Sequence, residues 1–236
     1  MKPEMDKDRR RVLAAGVGLL AGLPVMAAAI PQGKSENRIN PDEGVTAPED
    51  LMKEHGVLNR CLLIYEEGMR RLRDKEEIGP EVFQHTAALI RKFVEEYHEK
   101  NEEKYIFPVF EKHHKLTDLV DTLKTQHKAG RLVTAEIIRL SASNQFQDDA
   151  NHERLVALCQ SFIRMYRPHE AREDTVLFPA LRTILTPRQV LALGDRMEES
   201  EHKVLGDEGF EKSVAQVAAI EKHLGIYDLK QFTPKA

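Results

Sequence analysis

One eleven-residue string occurs twice in this 236-residue chain: His-Glu-x-x-Glu-x-x-x-x-Phe-Pro, from His98 to Pro108 and again from His169 to Pro179. Another histidine precedes each copy at nearly the same distance, His55 before the first and His127 before the second. His55 and His127 are 72 residues apart, and His98 and His169 are 71 apart. A repeat that keeps histidine and glutamate, not only apolar positions, points to a metal site built from two similar halves.

Apolar periodicity places these strings on helices. A first helix is expected from about Pro48 to Arg73, with Leu51, Met52, His55, Leu58, Leu62 and Met69 on or near one face. A second follows Gly79, with Pro80 in its first turn, and carries Phe83, Ala87, Ile90, Val94, His98 and Glu102. Pro108 should kink or end it. A third runs from about Thr117 to Leu140, and a polar loop follows from Ser141 to Asp149. A fourth runs from about Asn151 to Arg182, with a bend expected at Pro168. Shorter helices are expected from Pro187 to about Ser200 and from Phe210 to His223.

The predicted fold is all-α: an up-down four-helix bundle over residues 47–186 with a di-metal site in its core. Residues 187–236 form a C-terminal helical extension, either a lid over the open end or a partner surface. The topology supports the site. His55 and His127 fall early in their helices, His98 and His169 late in theirs, so an up-down arrangement brings all four to one layer.

His98 with Glu102, and His169 with Glu173, stand one helical turn apart on one face. A lone His-x-x-x-Glu is usually a surface ion pair. Two such pairs in repeated context, with two more histidines in matching phase, reverse that expectation. Four imidazoles and two carboxylates suit two divalent ions bridged by the carboxylates. Imidazole accepts iron, copper, zinc or nickel, and bridging carboxylates in a bundle favour iron.

At this point the chain resembles the hemerythrin-like family, the cation-binding domains named for their His-His-Glu pattern. The matching segments are Leu51-Met52-Lys53-Glu54-His55, His98 to Pro108, Gln126-His127, and His169 to Pro179. The resemblance spans about Pro48 to Arg182. It implies a non-haem centre of two iron ions, carboxylate-bridged, with His55, His98, Glu102, His127, His169 and Glu173 as the metal-binding residues. One departure stands out: oxygen-carrying members have a second histidine one turn after the third-helix histidine, and here that position is Arg131. Glu99 or a water is expected to fill the gap. The more open iron favours peroxide, nitric oxide or redox chemistry over reversible oxygen carriage.

Other residues take lesser roles. Tyr166 reads as a core tyrosine near the site, and Tyr97 and Tyr105 as outward-facing or stacked on neighbours. Phe107 and Phe178 read as a water-excluding wall. Glu54 and Glu170 are candidate acceptors for imidazole N–H groups. His85, His113, His114, His152, His202 and His223 lack the phase of the site and read as solvated.

The first 29 residues hold five Lys/Arg against three Asp/Glu, while the whole chain carries a net charge of −4. The remainder is therefore acidic, and with no basic stripe it makes a poor nucleic-acid binder. Arg9-Arg10-Arg11, an apolar run from Val12 and a close in Ala27-Ala28-Ala29 read as an export signal over residues 1–29. The signal resembles the twin-arginine type. Residues 30–46 read as a linker. The expected location is the periplasm, with no stable membrane insertion after cleavage.

Cys61 and Cys159 would sit on the same side of the metal layer, offset by about four residues or ~6 Å. Two buried thiols are preferred to a bridge. The function expected is a protein that binds O2 or nitric oxide, for sensing, buffering or scavenging. The alternatives are a di-iron redox enzyme acting on peroxide or nitric oxide, or an iron-handling protein.

Overall fold

The computed structural model describes residues 45–234. The export-signal expectation and nearly all of the linker lie outside the described residues. Six main helices follow: α1 (Ala47–Asp74), α2 (residues 80–112), α3 (Thr117–Leu140), α4 (residues 149–184), α5 (Pro187–Val204) and α6 (Gly209–Leu224). A short 3-10 turn, Leu229–Phe232, comes last. No described helix is long and apolar enough to cross a membrane.

Local chemistry sets the boundaries. Thr46 opens α1, its N–H and hydroxyl both donating to the Glu49 carboxylate at 2.9 and 2.8 Å. Pro80 and Pro187 occupy first-turn positions of α2 and α5, where a missing N–H costs nothing. Asp148 caps α4 by accepting from the Ala150 N–H at 2.9 Å. Gly225, at φ +72°, ends α6 in the left-handed conformation that glycine adopts without strain.

Helices α1 to α4 pack in a closed ring, α1 on α2, α2 on α3, α3 on α4 and α4 on α1. Two apolar clusters fill the ring. The smaller joins Ala47 and Leu51 with Ile106, Phe107, Phe110, Val120, Leu123 and Leu177 at one end of the bundle. The larger runs from Val57 and Leu58 to Tyr166 through the rest. Cys61 and Cys159 belong to the larger cluster as free, buried thiols. Burial pushes Cys61 up to about 12.

Pro108 does not end α2. The turn before it widens to π geometry over Glu102–Ile106, and the Phe107 N–H donates back to the Glu102 carbonyl five residues earlier. The copy in α4 does the same over Glu173–Leu177, with the Phe178 N–H on the Glu173 carbonyl. A proline in a regular helix removes one bond and presses its ring on the preceding turn. One extra residue per turn relieves both. The helix stays continuous through Pro168 as well. The departure from α geometry therefore begins at Glu173, not at the proline where a bend was expected.

The extension is not a lid over the bundle end. It lies along the outside of α1 and α2. Leu193 and Met197 of α5 join the smaller cluster, and Val217, Ile220 and Leu224 of α6 join the larger. Arg60 ties α6 down, its Nε and Nη2 donating to the two Glu221 carboxylate oxygens at 3.0 and 2.5 Å. Arg60→Ala should lower unfolding free energy by about 1–3 kcal/mol, because Glu221 is left buried without its bidentate partner. Urea denaturation checks this, and an unchanged midpoint would show that apolar contacts alone hold α6.

Candidate metal centre

The two apolar clusters leave a polar layer between them. His55 from α1, His98 and Glu102 from α2, His127 from α3, and His169 and Glu173 from α4 meet there. They form two groups of four, His55–His98–Glu102–Glu173 and Glu102–His127–His169–Glu173. Both groups share the two glutamates. All six residues named from the sequence are thus brought together, and all are buried.

The four imidazoles point Nε2 inward. His55 Nε2 lies 3.4 Å from Glu173 Oε2, and His169 Nε2 lies 3.2 Å from the same oxygen. His98 and His127 Nε2 lie 3.6 and 3.5 Å from Glu102 Oε2. His127 and His169 Nε2 are 3.3 Å apart. Neither glutamate has solvent exposure, and none of their four carboxylate oxygens has a hydrogen-bond partner. His55 Nε2 is likewise without one. Buried polar atoms are nearly always paired, because an unpaired one costs a few kcal/mol. Six side chains of ligand type around a common centre, with their donor atoms unspent, fit a pair of cations.

Outer partners hold each ring at Nδ1. His55 Nδ1 is 2.8 Å from Asp174 Oδ1, and His98 Nδ1 is 2.8 Å from Glu54 Oε2. His127 Nδ1 is 3.2 Å from Glu103 Oε1, and His169 Nδ1 is 2.9 Å from Gln126 Oε1. An acceptor at Nδ1 keeps the proton there and leaves the Nε2 lone pair for a metal. Glu54 meets its expected role. Glu170 does not: it accepts from Asn59 Nδ2 instead. Asp174, Glu103 and Gln126 were missed as ring acceptors. Their signal was present, since an acid follows the second glutamate in both strings and an oxygen acceptor precedes His55 and His127 alike.

Of the two expectations for Tyr97, the structure shows the packed one: it is buried against Phe93, with ring centroids 5.7 Å apart, and its hydroxyl donates to Glu54 Oε1 at 2.7 Å. Tyr97 therefore orients the carboxylate that orients His98. Tyr105 is half-buried with Lys104 Nζ 4.7 Å above its ring. Phe107 and Phe178 wall the site as expected, stacked on His127 and His55 with centroids 5.5 and 5.8 Å apart. His152 also departs from expectation, since it is half-buried and its Nε2 lies 2.6 Å from the Phe146 carbonyl. His85, His113, His114, His202 and His223 are exposed.

Arg131 stands one turn after His127 and does not face the centre as an added donor. Its Nη2 lies 2.7 Å from Glu99 Oε2 and 2.6 Å from Glu103 Oε1. Glu99 is further engaged by the Tyr166 hydroxyl at 2.6 Å. Glu99 thus pairs with Arg131 and Tyr166, and it also stands in a third group with ligand-type donor atoms close together, Glu99–Glu103–His127. Tyr166 packs in the core with its ring 5.4 Å from that of His169. Gly130 makes room for it: a Cβ there would come within 2.1 Å of the Tyr166 hydroxyl oxygen.

Electrostatics follow from this crowding. Burial, then repulsion from Glu173, raises Glu102 well above the usual carboxylate range. Burial opposes the charge on His55, but Asp174 and then Glu173 raise it to about 10. Burial and the neighbouring His55 push His98 down. Against its partial burial, His127, Lys100 and Arg131 hold Glu103 far below the usual range. Burial and its neighbours thus favour a proton on Glu102 and on His55, the two places where a cation would otherwise supply the positive charge.

The description of the matching family is the hemerythrin HHE cation binding domain, which covers residues 46–181. Relatives include an uncharacterized protein of Mycobacterium bovis (strain ATCC BAA-935 / AF2122/97) and uncharacterized proteins of Mycobacterium tuberculosis strains CDC 1551 and H37Rv. Each is 43% identical over 238 residues, spanning 98% of this chain and 93% of the relative. No solved structure matches.

Two substitutions test the site. Glu102→Gln should stabilise the metal-free protein by about 1–3 kcal/mol, by removing a buried carboxylate that lacks a partner. It should also abolish most of the stability gained on adding metal. Denaturation with and without chelator tests both, and a variant that loses stability in chelator would contradict the reading. Gly130→Ala should cost about 1–3 kcal/mol by overpacking against Tyr166, read as a lower thermal midpoint.

Proposed function

This chain belongs to the hemerythrin HHE cation-binding family, and from that premise we propose that it holds two non-haem iron ions between Glu102 and Glu173 and binds O2 or nitric oxide. We place this activity outside the cytoplasm, as a sensor, buffer or scavenger of the gas. One observation carries the reading: two fully buried glutamates, with all four oxygens unpartnered, stand between four inward-facing imidazole Nε2 atoms. The mixture of imidazoles with shared carboxylates inside a helical bundle supports iron over softer or harder ions. The basic triplet Arg9-Arg10-Arg11, the apolar run and the Ala27-Ala28-Ala29 close support export.

Bound iron would supply affinity for diatomic ligands and a reversible change of valence. The chain's own residues do the rest. His55 and His98 would hold one ion, His127 and His169 the other, and Glu102 and Glu173 would be shared. Asp174, Glu54, Glu103 and Gln126 fix each ring by its Nδ1. Phe107 and Phe178 cover ring faces and keep water from the layer. Neutral diatomic gases cross such apolar packing more easily than ions do.

A second reading, a di-iron redox enzyme acting on peroxide or nitric oxide, is favoured by Arg131. Its guanidinium is turned to Glu99 and Glu103, so the position adds no protein donor to the centre. One experiment separates the two. Reduced, iron-loaded protein is prepared anaerobically and then mixed with nitric oxide or with O2, and separately with peroxide, and its optical spectrum is followed. A persistent new band with either gas is the expected result. Rapid return to the starting spectrum with catalytic loss of peroxide or nitric oxide would favour the enzyme. Failure to retain iron, with zinc held instead, would remove both.

A further inference from the structure

The repeat makes the two halves of the centre comparable residue by residue. His55 answers to His127, His98 to His169, Glu102 to Glu173, Glu103 to Asp174 and Glu99 to Glu170. Charge is kept in every one of these pairs. It differs in two others. Glu54, which accepts from His98 Nδ1, answers to Gln126, which accepts from His169 Nδ1. Asn59, which donates to Glu170, answers to Arg131, which ion-pairs with Glu99 and Glu103.

Both differences act in the same direction. At the His55–His98 half, both rings lean on carboxylates, Asp174 and Glu54, each at 2.8 Å. At the His127–His169 half, one ring leans on a neutral amide. The other leans on Glu103 at 3.2 Å, and the same Glu103 oxygen takes the Arg131 guanidinium at 2.6 Å. Lys100 Nζ holds the second Glu103 oxygen at 2.7 Å. A carboxylate at Nδ1 makes an imidazole a stronger donor at Nε2, and an amide does so less. A carboxylate already bound to two cations has less charge to lend. Arg131 also adds positive charge beside the position where a dication would sit.

We propose that the two metal positions are unequal: the one at His55 and His98 binds its ion more tightly and fills first, and the one at His127 and His169 is the weaker, exchangeable position. Glu54, Gln126 and Arg131 set the difference as positioning residues. The inference rests on the reading of this layer as a metal centre.

The test is a calorimetric titration of the metal-free full chain with cobalt(II), in the presence of a competing chelator. Two ions sharing Glu102 and Glu173 repel each other, so even equal positions would fill in two steps. The variants therefore decide. Glu54→Gln keeps the shape and the Tyr97 hydrogen bond, and should weaken the first binding step by about 10-fold or more. Gln126→Glu should tighten the second step, and Arg131→Asn should move it the same way. A Glu54→Gln protein with an unchanged first step, or a Gln126→Glu protein with an unchanged second step, would overturn the inequality while leaving the centre intact. No binding of cobalt by the folded wild-type chain would overturn the metal reading and this inference together. Far-ultraviolet circular dichroism on each variant confirms that it is folded, and the three substitutions are independent of one another.

Discussion

Glu102 and Glu173 place two carboxylates in the centre of the bundle with no hydrogen-bond donor for any of their oxygens. A carboxylate in that position is a liability in an apolar interior, where it either keeps a proton or finds a cation. Much of the surrounding architecture serves this point. Four histidines turn their Nε2 atoms to it, and four outer acceptors hold the histidines by their other nitrogen. Apolar clusters close the layer on both sides.

The backbone takes part as well. In both copies of the repeated string, the widened turn begins at the buried glutamate itself and ends just before Phe-Pro. The proline explains its place, because a regular α-turn has no room for the ring. The phenylalanine beside it lies on a site histidine from another helix. One short motif thus fixes a carboxylate, bends the helical ladder around it and roofs a neighbouring imidazole.

The six inward residues were legible because histidine and glutamate recur with one spacing, and helix topology then puts them in one layer. Helix α3 begins and ends where its periodicity and polar flanks indicate, at Thr117 and Leu140. Other features were hidden for physical reasons. A π-turn leaves no periodic signature over five residues, so Pro108 reads as a kink or a stop. For Tyr97 one helix leaves outward-facing and stacked on neighbours equally open, and helices α5 and α6 decide it by covering that side of α1 and α2. Glu103 and Asp174 are not singled out by the sequence reading, since nothing in one helix says that its acid will meet a ring from another. Glu170 reads as a candidate acceptor for an imidazole but accepts from Asn59, one turn beyond His55.

Anomalous diffraction at the iron edge, from crystals of the iron-reconstituted protein, tests the centre most directly. Two peaks between Glu102 and Glu173 are expected, one beside His55 and His98 and the other beside His127 and His169. A single peak, or none between those two carboxylates, would contradict a carboxylate-bridged pair.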